Sequence, residues 1–107
     1  MDSFSVKIGH ELRIIHIKSL LAVEVDDYLC KLHIENEPVL SCVESLRNIL
    51  SKLPDSFVRI SRNCIINTIH VKSIHLEKRE VKLSGNKTYH FSVRNTRILK
   101  NFFSANH

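Results

Sequence analysis

Apolar and polar residues alternate along most of this chain in short segments, a period of two that suits a half-buried strand and that no helix can use. Ser5 to Ile8 and Glu11 to His16 predict a first pair of strands, joined tightly through Gly9 and His10, where glycine takes a positive φ without steric cost. Leu21 to Val25 and Tyr28 to Ile34 predict a second pair about Asp26 and Asp27, whose side chains favour a turn by bonding nearby backbone amides. After Pro54 and Asp55, Phe57 to Ile60 and Cys64 to Ile66 flank the polar stretch Ser61-Arg62-Asn63. Ser73 to Glu77 and Glu80 to Leu83 flank Lys78-Arg79, and Ser84-Gly85-Asn86-Lys87 turns the chain into Tyr89 to Val93. On that strand Tyr89, Phe91 and Val93 share one face, and His90 and Ser92 share the other.

Two segments break the alternation. Ser41 to Glu44 spells the capping box S-x-x-E, and Val43, Leu46, Ile49, Leu50 and Leu53 then fall on one stripe before Pro54, predicting a helix over about 42–53. Ile98, Leu99, Phe102 and Phe103 are also at helical spacing and predict a second short helix over about 94–103, with Ser92 or a neighbour as its cap. The expected fold is therefore mainly β, small antiparallel sheets with two short helices and Phe57, Phe91, Phe102 and Phe103 in the core. Asn67 reads as structural, its amide bonding to the turn that follows.

Several function classes are excluded by what the chain lacks. Two glycines and two prolines in 107 residues leave no flexible linker and no glycine-rich phosphate loop, so 1–107 reads as one domain. The apolar runs are too short to span a bilayer and no signal peptide is visible, so the expected location is cytoplasmic. Three cysteines, Cys30, Cys42 and Cys64, make an odd number with no C-x-x-C pair and read as reduced, buried thiols. The seven histidines, His10, His16, His33, His70, His75, His90 and His107, contain no H-x-x-x-H pair, and an extended strand sends Cys30 and His33 to opposite faces. No metal or other cofactor is expected, and with no nucleophile elbow or paired acid, no enzyme.

Charge points to a partner. Residues 1–53 hold six Lys and Arg against eight Asp and Glu, whereas 54–107 hold ten against three, so the basic excess lies in the second half, as a phosphate-facing surface requires.

Two stretches of that half carry a motif: Phe57-Val58-Arg59-Ile60-Ser61-Arg62-Asn63-Cys64-Ile65-Ile66-Asn67 and Phe91-Ser92-Val93-Arg94-Asn95. Together they resemble the LytTR family (LytR/AgrA type) of bacterial DNA-binding domains, whose signature is an aromatic, an arginine, a short polar turn, β-formers and an asparagine, then an S-x-R element before a final helix. Val23 to Leu29 resembles the family's strand, acidic turn, aromatic and strand, so the similarity runs from about residue 5 to 103. The resemblance implies an elongated sandwich of short antiparallel sheets that binds double-stranded DNA through loops, as the effector domain of a response regulator in a two-component system. It implies a phosphoreceiver domain, fused or separate, and promoter repeats bound by two copies, a homodimer on DNA.

Carried over position by position, Ser61, Arg62 and Asn63, the S-x-R element at Ser92 to Arg94 and the turn before Tyr28 face DNA. Arg94 and Arg62 each offer a planar fork that can bind guanine O6 and N7 together. Arg59, Ser61, Asn63, Ser92, Asn95 and Arg97 suit phosphate oxygens, and His90, exposed beside Ser92, is a further phosphate candidate. The alternative is a protein-interaction β module without nucleic acid, which would display apolar anchors rather than a basic edge.

Overall fold

The computed structural model describes residues 2–106, the side chains of residues 102, 105 and 106 excepted; the expectations for the Phe102 side chain and for His107 lie outside the described residues. In chain order the strands are β1 (Ser3–Ile8), β2 (Glu11–His16), β3 (Leu20–Asp26), β4 (Leu29–Ile34), β5 (Leu40–Val43), β6 (Phe57–Ser61), β7 (Cys64–Asn67), β8 (Val71–His75), β9 (Glu80–Leu83) and β10 (Lys87–His90), with helices α1 (Leu46–Ser51) and α2 (Thr96–Asn106). Among the described residues they form three antiparallel sheets: the hairpin β1-β2, a five-stranded sheet in the order β5-β4-β3-β7-β6, and a three-stranded sheet in the order β10-β9-β8. The molecule is elongated, 43 × 27 × 24 Å.

Alternation on the central strands makes two cores. One face of the five-stranded sheet sends Leu20, Val23, Leu32 and Ile65 against Phe4, Val6 and Ile15 of the first hairpin and Leu46 and Ile49 of α1. The other sends Leu21, Ala22, Ile60 and Ile66 against Val81, Leu83 and Tyr89 of the three-stranded sheet, against Phe91 just after it and against Leu99 of α2. Each such side chain fully removed from water contributes about 1.5–3 kcal/mol, so both outer layers are held by apolar burial. The chain reverses between β1 and β2 at Gly9, whose φ of +62° suits a two-residue hairpin loop.

Three local expectations are corrected. The first helix is shorter than 42–53: Ser41, Cys42 and Val43 lie on β5, where Cys42 stands opposite Cys30. Strand pairing with β4 overrides the local S-x-x-E signal, and the helix begins after Ser45, whose hydroxyl accepts from the Asn48 amide at 3.1 Å. Val43, expected on the buried stripe, is consequently 74% exposed. Tyr28 sits in the β3–β4 turn with Asp27 rather than on the strand, because Asp27 takes the left-handed conformation (φ +58°) and β4 resumes at Leu29. Val93 is exposed rather than sharing a buried face with Tyr89 and Phe91, because extended structure stops before Val93–Asn95, a turn of 3-10 helix that leads into α2.

Asn67 is fully buried and bonds more widely than its own turn: Oδ1 accepts from the Ile69 amide, and Nδ2 donates to the carbonyls of Leu20 (3.0 Å) and Ile17 (3.5 Å). The three cysteines are buried and unbridged, with burial pushing the Cys30 thiol up to about 12 and raising those of Cys42 and Cys64. They are thiols at neutral pH, without the thiolate that reactivity requires.

One polar contact crosses the seam between the two larger sheets. The rings of His33 on β4 and Tyr89 on β10 meet edge to face, 5.7 Å between centroids. His33 Nε2 lies 2.8 Å from Glu24 Oε1, while His33 Nδ1 and the Tyr89 hydroxyl are buried without a hydrogen-bond partner. Burial lowers the His33 pKa from its ordinary 6.5, with the nearby Glu24 carboxylate opposing this less strongly. The unfolded chain thus takes up a proton at this site before the folded chain does, so acidification favours unfolding. Stability is expected to fall as pH drops below about 6.5 and to level off beneath the folded value. Urea titrations across that range should show a weaker pH dependence for His33→Phe than for the natural chain, and equal dependences would contradict this account.

Candidate nucleic-acid interface

Arg62 and Asn63 form the tight turn between β6 and β7. A bulge between Arg59 and Ser61 shifts the register there, burying Ile60 completely while Arg62 and Asn63 stay exposed. Immediately beside this turn runs the second stretch, because the Ser92 amide donates to the Ile60 carbonyl at 3.0 Å. Ile60 and Ser92 each precede an arginine by two residues, so a single backbone bond brings Arg62 and Arg94 to one place across 31 residues of intervening chain.

Both arginines line the same cleft, with Ser61, Ser92, Asn95 and the apolar pair Val93 and Ile98. A second cleft continues from Arg94 along α2 past Arg97 and Lys100. A third leads the other way from Arg62 and Asn63 to Asp27, Tyr28 and Glu44. The first two clefts together hold Arg59, Arg62, Arg94, Arg97 and Lys100 and no carboxylate, while the acidic residues gather at the Tyr28 end. Among the described residues the side chains of Arg62, Arg94, Arg97 and Lys100 make no hydrogen bond or salt bridge within the chain. Glu44 stays ionised, its carboxyl pKa lowered chiefly by the bond from the Asn48 side-chain amide (2.9 Å).

Other sequence candidates are committed inside the chain. Arg59 donates from Nη2 to the Arg62 carbonyl (2.6 Å) and from Nε to the Ser61 carbonyl (3.3 Å). Asn95 donates its amide to the Ser92 hydroxyl (3.0 Å), which braces the turn before α2. His90 lines none of the three clefts and faces Glu80 across β9 and β10, Nε2 to Oε2 3.2 Å. Lys100, Thr96 and Asn101 were not singled out from the sequence, although Arg97 and Lys100 at i, i+3 beside the buried Leu99 already mark a basic outer face of α2. Among the described residues no three His, Cys, Asp or Glu groups assemble a possible metal site, and no helix is long and apolar enough to cross a membrane.

The fold defined by these sheets is that of the LytTr domains: one solved structure, the LytTr DNA-binding domain assigned to a methyl-accepting/DNA response regulator from Bacillus cereus, is similar with a TM-score of 0.82 at 18% identity, over 96% of this chain and 97% of that one. The family profile of the LytTr DNA-binding domain matches residues 10–104, and the chain belongs to the LytTR family of DNA-binding domains. No curated protein sequence matches it significantly.

Proposed function

We propose that this domain recognises specific duplex DNA as the cytoplasmic effector of a bacterial transcription regulator, with Arg62 and Arg94 reading base edges and the flanking polar groups positioning the backbone. The observation that carries this reading is the pair of unpartnered arginines, from distant stretches, lining one cleft free of carboxylates. Two guanidinium forks so placed suit guanines in a groove, the commonest specific contact, while Ser61, Asn63, Arg97 and Lys100 suit phosphates on either side. Tyr28, at the acidic end, meets DNA only where Asp27 and Glu44 are tolerated, which sets a limit to the footprint. In this reading two copies occupy promoter repeats, a phosphoreceiver domain supplies the signal, and binding needs neither cofactor nor catalysis. Leu12 and Ile14, exposed on β2 and lining none of these clefts, are apolar anchors that the protein-interaction alternative would use, whereas the exposed Val43, Val93 and Ile98 line the clefts themselves beside the arginines.

The test begins by selecting a binding sequence from a random duplex pool, then titrates that duplex by fluorescence anisotropy at several salt concentrations. With each of four rim cations releasing a counterion from the DNA at about −0.9 per charge neutralised, log affinity should fall with log salt at a slope of roughly −3.6. Failure of selection to enrich any sequence, or a flat salt response, contradicts the proposal.

A further inference from the structure

We propose that Arg59 is a positioning residue that locks the Arg62 turn in its reading conformation, rather than a phosphate contact; the inference rests on the reading of Arg62 as a base-contacting side chain. Every carbonyl from Ile60 to Asn63 is held by a donor. The Ser92 amide takes Ile60, Arg59 takes Ser61 and Arg62, and the Val25 amide takes Asn63 at 2.9 Å. Two of these four bonds come from one guanidinium, and they span the bulge between Arg59 and Ser61, where the regular ladder is interrupted before it resumes at Ser61 opposite Cys64. A planar fork can hold successive carbonyls in a fixed relation; an ammonium of equal charge cannot.

Two consequences follow for DNA recognition. The clamp draws the carbonyl dipoles of Ser61 and Arg62 toward Arg59, away from the phosphate field, and leaves the side chain as the outward group at Arg62. It also commits the Arg59 donors at Nε and Nη2 before DNA arrives, so the turn enters the groove already ordered and the entropic cost of ordering it on binding is reduced.

Arg59→Lys separates the two roles because it keeps the charge and removes the fork. On the selected duplex it should lower affinity roughly tenfold, the scale of losing charge-assisted hydrogen bonds, while binding to random duplex and the salt slope stay unchanged. In an Arg62→Ala background the same substitution should cost less than about twofold, since the side chain it positions is gone. Amide relaxation of the free protein should show Arg62 and Asn63 loosened in Arg59→Lys, with the melting transition kept as the control for folding. Wild-type affinity for Arg59→Lys, together with a salt slope shallower by about one in Arg59→Met, would overturn the clamp in favour of a phosphate contact. Unchanged relaxation at the turn would also overturn it. Loss of the underlying base-reading proposal is seen separately, as an Arg62→Ala variant that binds the selected duplex normally.

Discussion

Replacing Arg62 and Arg94 together by alanine is expected to abolish sequence-specific binding while leaving the fold intact. Each guanidinium bound to a guanine edge contributes about 1–3 kcal/mol of discrimination, so the pair accounts for roughly 30-fold to 10⁴-fold in specific affinity. Because the two side chains share a cleft, the double substitution should depart from the product of the single ones, as neighbouring groups do. Both are exposed and unpartnered within the chain, so the unfolding free energy should change by less than about 0.5 kcal/mol. Anisotropy with the selected duplex and a random one, at a single salt concentration, reads the outcome. An equal loss on both duplexes would mean that the arginines supply charge and not sequence.

Asn67→Ala should have the largest effect on stability. The substitution removes a fully buried amide that serves the carbonyls of Leu20 and Ile17 and the amide of Ile69, tying the turn into β3 to the turn that leaves β7. Leaving such partners short inside a protein costs about 1–3 kcal/mol each where no water replaces the bond, and a total near 3–4 kcal/mol is expected. For a domain of this size that corresponds to a fall in Tm of roughly 15 °C. Asn67→Asp keeps the acceptor for Ile69 but loses the donor, and it should be destabilised as well. Urea unfolding checks both, and a change below about 1 kcal/mol in Asn67→Ala would show that the amide is not the brace described here.

The layout of strands was legible because a half-buried sheet writes its faces into a period of two: the faces of β4, with Cys30, Leu32 and Ile34 inward, follow directly from the alternation. The S-x-R and aromatic-arginine stretches of the second half, with the acidic turn and aromatic at Val23 to Leu29, likewise pointed to the family, since their order and spacing agree together. What escaped the sequence was set by distant partners. Ser41 to Glu44 carries a valid local helix signal, but Cys42 is claimed by its cross-strand neighbour Cys30, and a capping box carries no information about β4. Asn67 was recognisable as a local turn residue, whereas its bonds to Ile17 and Leu20 reach 50 and 47 residues back along the chain. At the rim, Arg59, Arg62 and Arg94 are alike as residue types. Only the bulge and the Ser92 to Ile60 bond distinguish the arginine turned onto backbone carbonyls from the two left facing outward.

The central claim, that the Arg62 and Arg94 loops meet duplex DNA as one surface, is tested most directly by titrating the ¹⁵N-labelled domain with its selected duplex and following amide shifts. Changes should concentrate at Arg62, Asn63 and Val93 to Lys100. Ser19, Glu35 and His70, gathered at the opposite ends of β3, β4 and β7, should stay still. Shifts clustered around those three residues, with the two arginine loops silent, would contradict the account.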